Sequence, residues 1–110
     1  MICERWDVVA VPFPFSERPG VKRRPALVVS NRRFNGAGHC VMCMITTRSE
    51  PGWPTDHPIA DLTAAGLPAP SIARLKLFTL DTRLVEKRLG SLAEADRRAV
   101  GIHLQAVLAD

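Results

Sequence analysis

The chain lacks any uncharged run long enough to cross a bilayer. The longest near its start, "VVAVPFPFS", is broken by Pro12 and Pro14 and has no small-residue cleavage end. That excludes a spanning helix and a secretory leader and points to the cytoplasm. An even set of cysteines is also missing. Three (Cys3, Cys40, Cys43) in 110 residues argue against a disulfide framework and fit a reducing compartment. No repeat, low-complexity tract or linker divides the sequence, so residues 1–110 read as one domain, able to bury ~60–70% of its unfolded surface in one core. Hydrolase-triad, phosphate-binding glycine-loop and Walker patterns are absent as well.

What is present is ordinary globular composition, 46% hydrophobic and 24% charged, with cations in excess. Fifteen Lys and Arg against eleven Asp and Glu leave a net charge of +4, which favours an anionic partner, although such a surplus also serves solubility.

Valine-rich "RWDVVAVPF" (5–13) predicts a strand that must end or reach a sheet edge at its prolines. "SERPGVKRR" reads as a polar loop, and "PALVVSN" (25–31) as a second strand with proline in its first position. "NRRFNGAGHC" predicts a hairpin-like connection into "HCVMCMIT" (39–46), apolar on both faces and so a central strand. Residues 47–57 form a long loop, "HPIADL" a short strand and "TAAGLPAP" another loop. In "SIARLKLFTLD" (71–81), Ile72, Arg74, Lys76 and Phe78 alternate with Ala73, Leu75, Leu77 and Thr79, which makes one face of a strand largely charged. The last twenty residues carry the one clear helix signal. Ser91 and Glu94 match a capping box, and Val100, Leu104, Val107 and Leu108 share a face; Gly101 weakens the helix by ~1 kcal/mol relative to alanine. Five or six short strands and a terminal helix predict a small, mainly antiparallel barrel.

Cys40 and Cys43 have C-x-x-C spacing beside His39, but residues three apart on a strand face opposite ways. Buried apolar thiols therefore fit better than a zinc site. His57 and His103 have no evident sequence partner for catalysis, which favours structural or surface roles. The arginines remain. Arg23, Arg24, Arg32, Arg33, Arg48 and Arg74 either line one groove or scatter as solvated charge, and spacing alone does not decide between them. Pro25 fixes the backbone beside Arg24, as a planar phosphate fork would require. Thr46 and Thr47 stand where the buried strand emerges and can donate to a phosphoryl oxygen. Trp53 suits either stacking on a base or packing as a lid.

"WDVVAVPFPFS", "RRPALVVSN", "VMCMITTRS" and "SIARLKLFTLD" followed by "KRLGSL" and a helix together resemble the MazF/PemK toxins of bacterial type II toxin-antitoxin systems, across nearly the whole chain. The resemblance implies an SH3-like antiparallel barrel with a C-terminal helix, assembled as a homodimer. It implies metal-independent, cofactor-free cleavage of single-stranded RNA, usually mRNA, with attack by the 2′-hydroxyl leaving a 2′,3′-cyclic phosphate and a 5′-hydroxyl. By the same resemblance Arg24 serves the non-bridging phosphate oxygens, Thr46 hydrogen-bonds the same phosphate, and Glu17 in "SERPG" is the candidate base or the orienter of Arg24. Lys22, Arg23, Thr47, Arg48, Trp53, Arg74 and Lys76 are the expected RNA contacts. A cognate antitoxin with an acidic segment is the expected protein partner, and DNA is met only indirectly, through an antitoxin complex.

Three departures stand out. Trp6 occupies a position usually held by glycine, Lys76 stands where some members carry an aspartate two residues after the arginine matched by Arg74, and the histidine that some members place in the first loop is missing. The alternatives are a non-catalytic CcdB-like inhibitor of DNA gyrase, against which the "AVLAD" ending without a tryptophan tail argues, and an inactive SH3-like binding module.

Overall fold

The computed structural model describes residues 2–13 and 22–109. Six antiparallel strands, β1 (Asp7–Phe13), β2 (Lys22–Val28), β3 (His39–Thr46), β4 (His57–Pro58), β5 (Ile72–Asp81) and β6 (Lys87–Ser91), form one sheet in the order β4-β5-β3-β2-β1-β6. Short helices α1 (Arg32–Asn35) and α2 (Leu62–Ala65) lie in the connections, and α3 (Glu94–Leu108) closes the chain. The mainly antiparallel sheet with a C-terminal helix is the architecture expected. Among the described residues no helix is long and apolar enough to cross a membrane.

Both faces of the sheet are apolar because each buries its own core. Val8, Leu27, Cys43, Ile45, Ala73 and Leu75 pack on one face with Val100 and Leu104 of α3. On the other, Val9, Val11, Ala26, Val28, Cys40 and Met42 pack with Cys3 and Leu80. Cys40 and Cys43 thus enter different cores, and burial pushes both thiols up to about 12, so neither is a thiolate near neutral pH.

The sheet curls so that its two edges meet through α2, which follows β4 in the chain yet lies against β6. Glycines permit the approach. A Cβ on Gly66 would lie 2.0 Å from the Leu89 carbonyl oxygen, and one on Gly90 would lie 2.4 Å from that of Ala64. Gly66 also adopts φ 71° as the left-handed C-cap of α2, a conformation natural to glycine. Asp96 of α3 fastens the same seam. Only 1% exposed, its carboxylate accepts from the Ala60 and Asp61 amides at 2.9 and 3.0 Å and from His57 Nε2 at 2.7 Å. Burial pushes this carboxyl up, but the donors outweigh it and hold it below its ordinary value. His57 therefore has a structural partner in Asp96, 39 residues away in the chain.

Several local expectations are corrected. β2 begins at Lys22, not at Pro25, because β1 continues opposite it as far as the Phe13–Lys22 pair. Pro25 is tolerated inside the strand because the ladder to β3 starts only at Ala26. The connection between β2 and β3 is no Asn-Gly hairpin: Asn31 accepts from the Phe34 amide at 2.9 Å and starts α1, which Gly36 ends. "HPIADL" gives only the two-residue β4, since Asp61 caps α2 within what reads as loop. Ser91 forms no capping box. Pairing with Asp7 keeps it in β6, its hydroxyl accepts from Arg97 at 2.8 Å, and the helix starts after Ala93. Of the four apolar helix residues, Val100 and Leu104 are buried whereas Val107 and Leu108 in the last turn are 52% and 67% exposed.

Trp6 adopts φ 78°, a left-handed conformation costly for a large side chain. Its backbone is held on both sides, the amide donating to Val28 at 2.7 Å and the carbonyl accepting from Leu92 at 3.0 Å. The indole packs on the α3 core beside Gly101, which leaves room for it.

Candidate active site

Strand register builds the site. Ala26 pairs with Met44 and Val28 with Met42, so the same antiparallel register continued by two residues sets Arg24 of β2 opposite Thr46, the last residue of β3. Directly opposed residues share a face, and Arg24 and Thr46 together line two adjoining cavities of about 420 and 460 Å³. The first has an apolar floor that includes Val11, Ala26, Met44 and Phe78. The second is walled by Arg48, Glu50, Pro51 and Trp53 from the loop after β3. Lys76 lines both, exposed at a break in the β3–β5 register where the pairing jumps from Cys43–Leu77 to Met44–Arg74.

Thr46 is prepared as a donor. Its Oγ1 accepts from the Arg48 amide at 3.1 Å, which occupies a lone pair and leaves the hydroxyl hydrogen to donate elsewhere. Arg24 reaches the cavities from a strand that is hydrogen-bonded to β1, so its guanidinium starts from fixed backbone.

Arg74 lines the second cavity, as the groove reading expects, but it is largely covered by the loop after β3. It is only 8% exposed, and its Nε and Nη2 donate to Asp56 Oδ1 and Oδ2 at 3.0 and 2.8 Å. Nη2 also donates to the carbonyls of Arg48 at 3.3 Å and Pro51 at 3.2 Å. The guanidinium holds the Asp56 carboxyl below its usual range, against the opposing effect of burial and with help from the Trp53 amide, and Asp56 in turn raises Arg74. The face of β5 that reads as charged is therefore split: Lys76 faces solvent and Arg74 is engaged by the loop.

Alternation turns Arg23 to the side opposite Arg24, where it pairs with Glu86 and lines neither cavity. Lys22 and Thr47 are exposed and also line neither. Lys22 and Arg23 belong to β2 rather than to a loop. Glu17 lies outside the described residues. Asp56 and Glu50 escaped the sequence reading. Asp56 sits 18 residues before Arg74 with no spacing rule to join them, and Glu50 is the other acid in the loop that carries Arg48 and Trp53.

Among the described residues, no histidine or cysteine lines either cavity, and no group of three or more His, Cys, Asp or Glu side chains is placed to hold a metal ion. The arrangement offers fixed positive charge, one oriented hydroxyl, an exposed aromatic ring and an apolar recess. That set can bind a phosphodiester and stabilise charge developing on it.

The sequence profile described as PemK-like, MazF-like toxin of type II toxin-antitoxin system matches residues 4–108. Among solved structures, a chain of MazE-MazF from Deinococcus radiodurans (form III) superposes with TM-score 0.79 at 24% identity, covering 98% of this chain and 97% of that one. An endoribonuclease in complex with its cognate antitoxin, from a mycobacterial species, gives 0.75 at 20% identity over 96% of this chain and 94% of that one. The Mycobacterium tuberculosis toxin MazF-mt6 gives 0.74 at 19% identity, covering 94% and 98%. Identities this low establish likeness of fold. Comparison with curated proteins finds no match.

Proposed function

The chain belongs to the PemK-like, MazF-like toxins of type II toxin-antitoxin systems, and from that premise we propose that it is an endoribonuclease that cleaves single-stranded RNA at short sequences without a metal ion. The observation that carries the reading is that Arg24 and Thr46 both line two adjoining cavities, which among the described residues hold no histidine or cysteine. In the proposed reaction the nucleophile belongs to the substrate. The RNA 2′-oxygen attacks the adjacent phosphorus, the P–O5′ bond breaks, and a 2′,3′-cyclic phosphate and a 5′-hydroxyl result. The 2′-hydroxyl proton goes to a base and the 5′-oxygen gains one.

Arg24 sits against the non-bridging oxygens and neutralises the charge that grows there, while Thr46 donates to the same phosphate. Arg48 and Lys76 draw the backbone into the groove, and Trp53 receives a base. Glu17 is the proposed base or orienter of Arg24. The working unit is a homodimer of one domain per chain, residues 1–110. An acidic segment of a cognate antitoxin occupies the same basic groove and excludes RNA, and DNA is met only through that complex.

The test is cleavage of long single-stranded RNA by purified protein in the presence of a chelator, with both new ends mapped. Ends with 2′,3′-cyclic phosphate and 5′-hydroxyl are expected, and Arg24→Ala should lower kcat by about 10²–10³-fold with the protein still folded. No cleavage, or 5′-phosphate ends, overturns the reading.

A further inference from the structure

The contacts around Arg74 do more than neutralise a buried charge. One guanidinium holds three points of the loop after β3: the Asp56 carboxylate through two donors, and the Arg48 and Pro51 carbonyls. Asp56 passes the constraint to Trp53. Its Oδ2 accepts from the Trp53 amide at 3.0 Å, and its own amide donates to the Trp53 carbonyl at 3.1 Å. The Arg74 guanidinium carbon lies 5.7 Å from the Trp53 ring centroid, within range of a cation–π contact. Trp53 is nevertheless 41% exposed, in the cavity wall that Arg24 and Thr46 share. An exposed aromatic ring fixed at its backbone and beside a buried cation is a preorganised surface.

We propose that Arg74 and Asp56 form a positioning clamp that presents Trp53 as the stacking platform for one nucleobase next to the scissile phosphate, with preference for a purine. The proposal rests on the nuclease reading above and adds to it the role of the clamp and the kind of base it selects. Stacking uses the π-face common to all bases, so selection follows ring area rather than hydrogen-bond pattern. Arg74 is then a positioning residue, occupied by the loop and acting on substrate through Trp53.

Two measurements test it. In the first, mixed-sequence 2′-O-methyl RNA, which cannot be cleaved through a 2′-hydroxyl, is titrated while tryptophan fluorescence is followed. Wild-type protein should show quenching that Trp53→Phe abolishes, and oligoadenylate of that chemistry should bind several-fold tighter than oligouridylate. In the second, steady-state cleavage is compared among variants. Trp53→Ala and Arg74→Lys should each raise KM by about 10–100-fold with kcat little changed, and Trp53→Phe should recover most of the loss.

Equal KM for wild type and Trp53→Ala overturns the proposal, as does a fall in kcat alone in Arg74→Lys, or quenching by an acidic antitoxin peptide but not by RNA. Trp53→Ala, at an exposed position, decides the matter even if Arg74→Lys fails to fold. Inactive wild-type protein that still shows the Trp53 quench would count against the nuclease reading and not against the clamp.

Discussion

Asp96→Asn isolates one carboxylate at the seam of the half-barrel. In the native chain Oδ1 accepts from His57 and the Ala60 amide and Oδ2 from the Asp61 amide, all within 3.0 Å in a residue 1% exposed. Asparagine keeps the shape but turns one oxygen into an NH₂ group. Whichever way it flips, a donor then faces a backbone donor, the amide of Ala60 or of Asp61. Losing charge-assisted bonds and stranding one amide costs about 2–4 kcal/mol. With a urea m-value of ~2 kcal/mol/M, the middle of the usual range, the midpoint should fall by about 1–2 M at pH 7 with the slope preserved.

The pH dependence has a definite sign. Because the folded carboxyl is held below its ordinary value of 3.8, its stabilisation is complete above that value and is lost as pH falls through the lowered one. The gap between native protein and variant should narrow in acid, as the carboxylate is protonated. A midpoint unchanged at pH 7, or a gap that survives full protonation of the carboxylate, would refute the reasoning.

Three further outcomes follow from the geometry. Thr46→Val should lower kcat for RNA cleavage by about 10²-fold through loss of one donor, with Thr46→Ser recovering most of it; equal rates for Thr46→Val and wild type would remove the hydroxyl from the mechanism. Gly101→Ala places a Cβ 3.9 Å from the Trp6 ring, ordinary contact distance, so helix propensity should dominate and raise stability by about 1 kcal/mol, read as a higher Tm. Gly90→Ala should do the reverse: its Cβ meets the Ala64 carbonyl oxygen at 2.4 Å, backbone against backbone, and unfolding should become easier by about 1–3 kcal/mol in the same thermal scan.

The strands were legible wherever local chemistry and long-range pairing agree. "HCVMCMIT" reads as apolar on both faces because β3 lies between two cores, and "SIARLKLFTLD" becomes β5 over nearly its full predicted length. Local signals failed where a distant strand claimed the same residue. Ser91 has the sequence context of a cap, yet pairing with Asp7 draws it into β6. Helix α2 was hidden because one capped turn beside glycine and proline looks like loop. At the candidate site, Arg24, Thr46 and Lys76 were found from sequence and do line the cavities. Arg74 also lines the second cavity, but its engagement by the loop was not legible, since that depends on Asp56 and on the broken register beside Lys76. Period-two alternation could have separated Arg23 from Arg24, but that signal was lost by reading both as loop.

The two-sided core has a consequence for how such a site can be gained or lost. From Pro25 to Val28 strand β2 is apolar at every position, so alternation of apolar and polar residues does little to fix its alignment. A slip of one residue would still fill both cores with hydrocarbon, yet it would exchange Arg23 for Arg24 at the cavities. One thing opposes the slip: the size difference between Ala26 and Leu27, which face different cores. The identity of the phosphate-facing arginine is thus a matter of phase. A single inserted residue between Arg24 and Ala26 could silence the site while leaving composition, charge and hydrophobicity almost untouched.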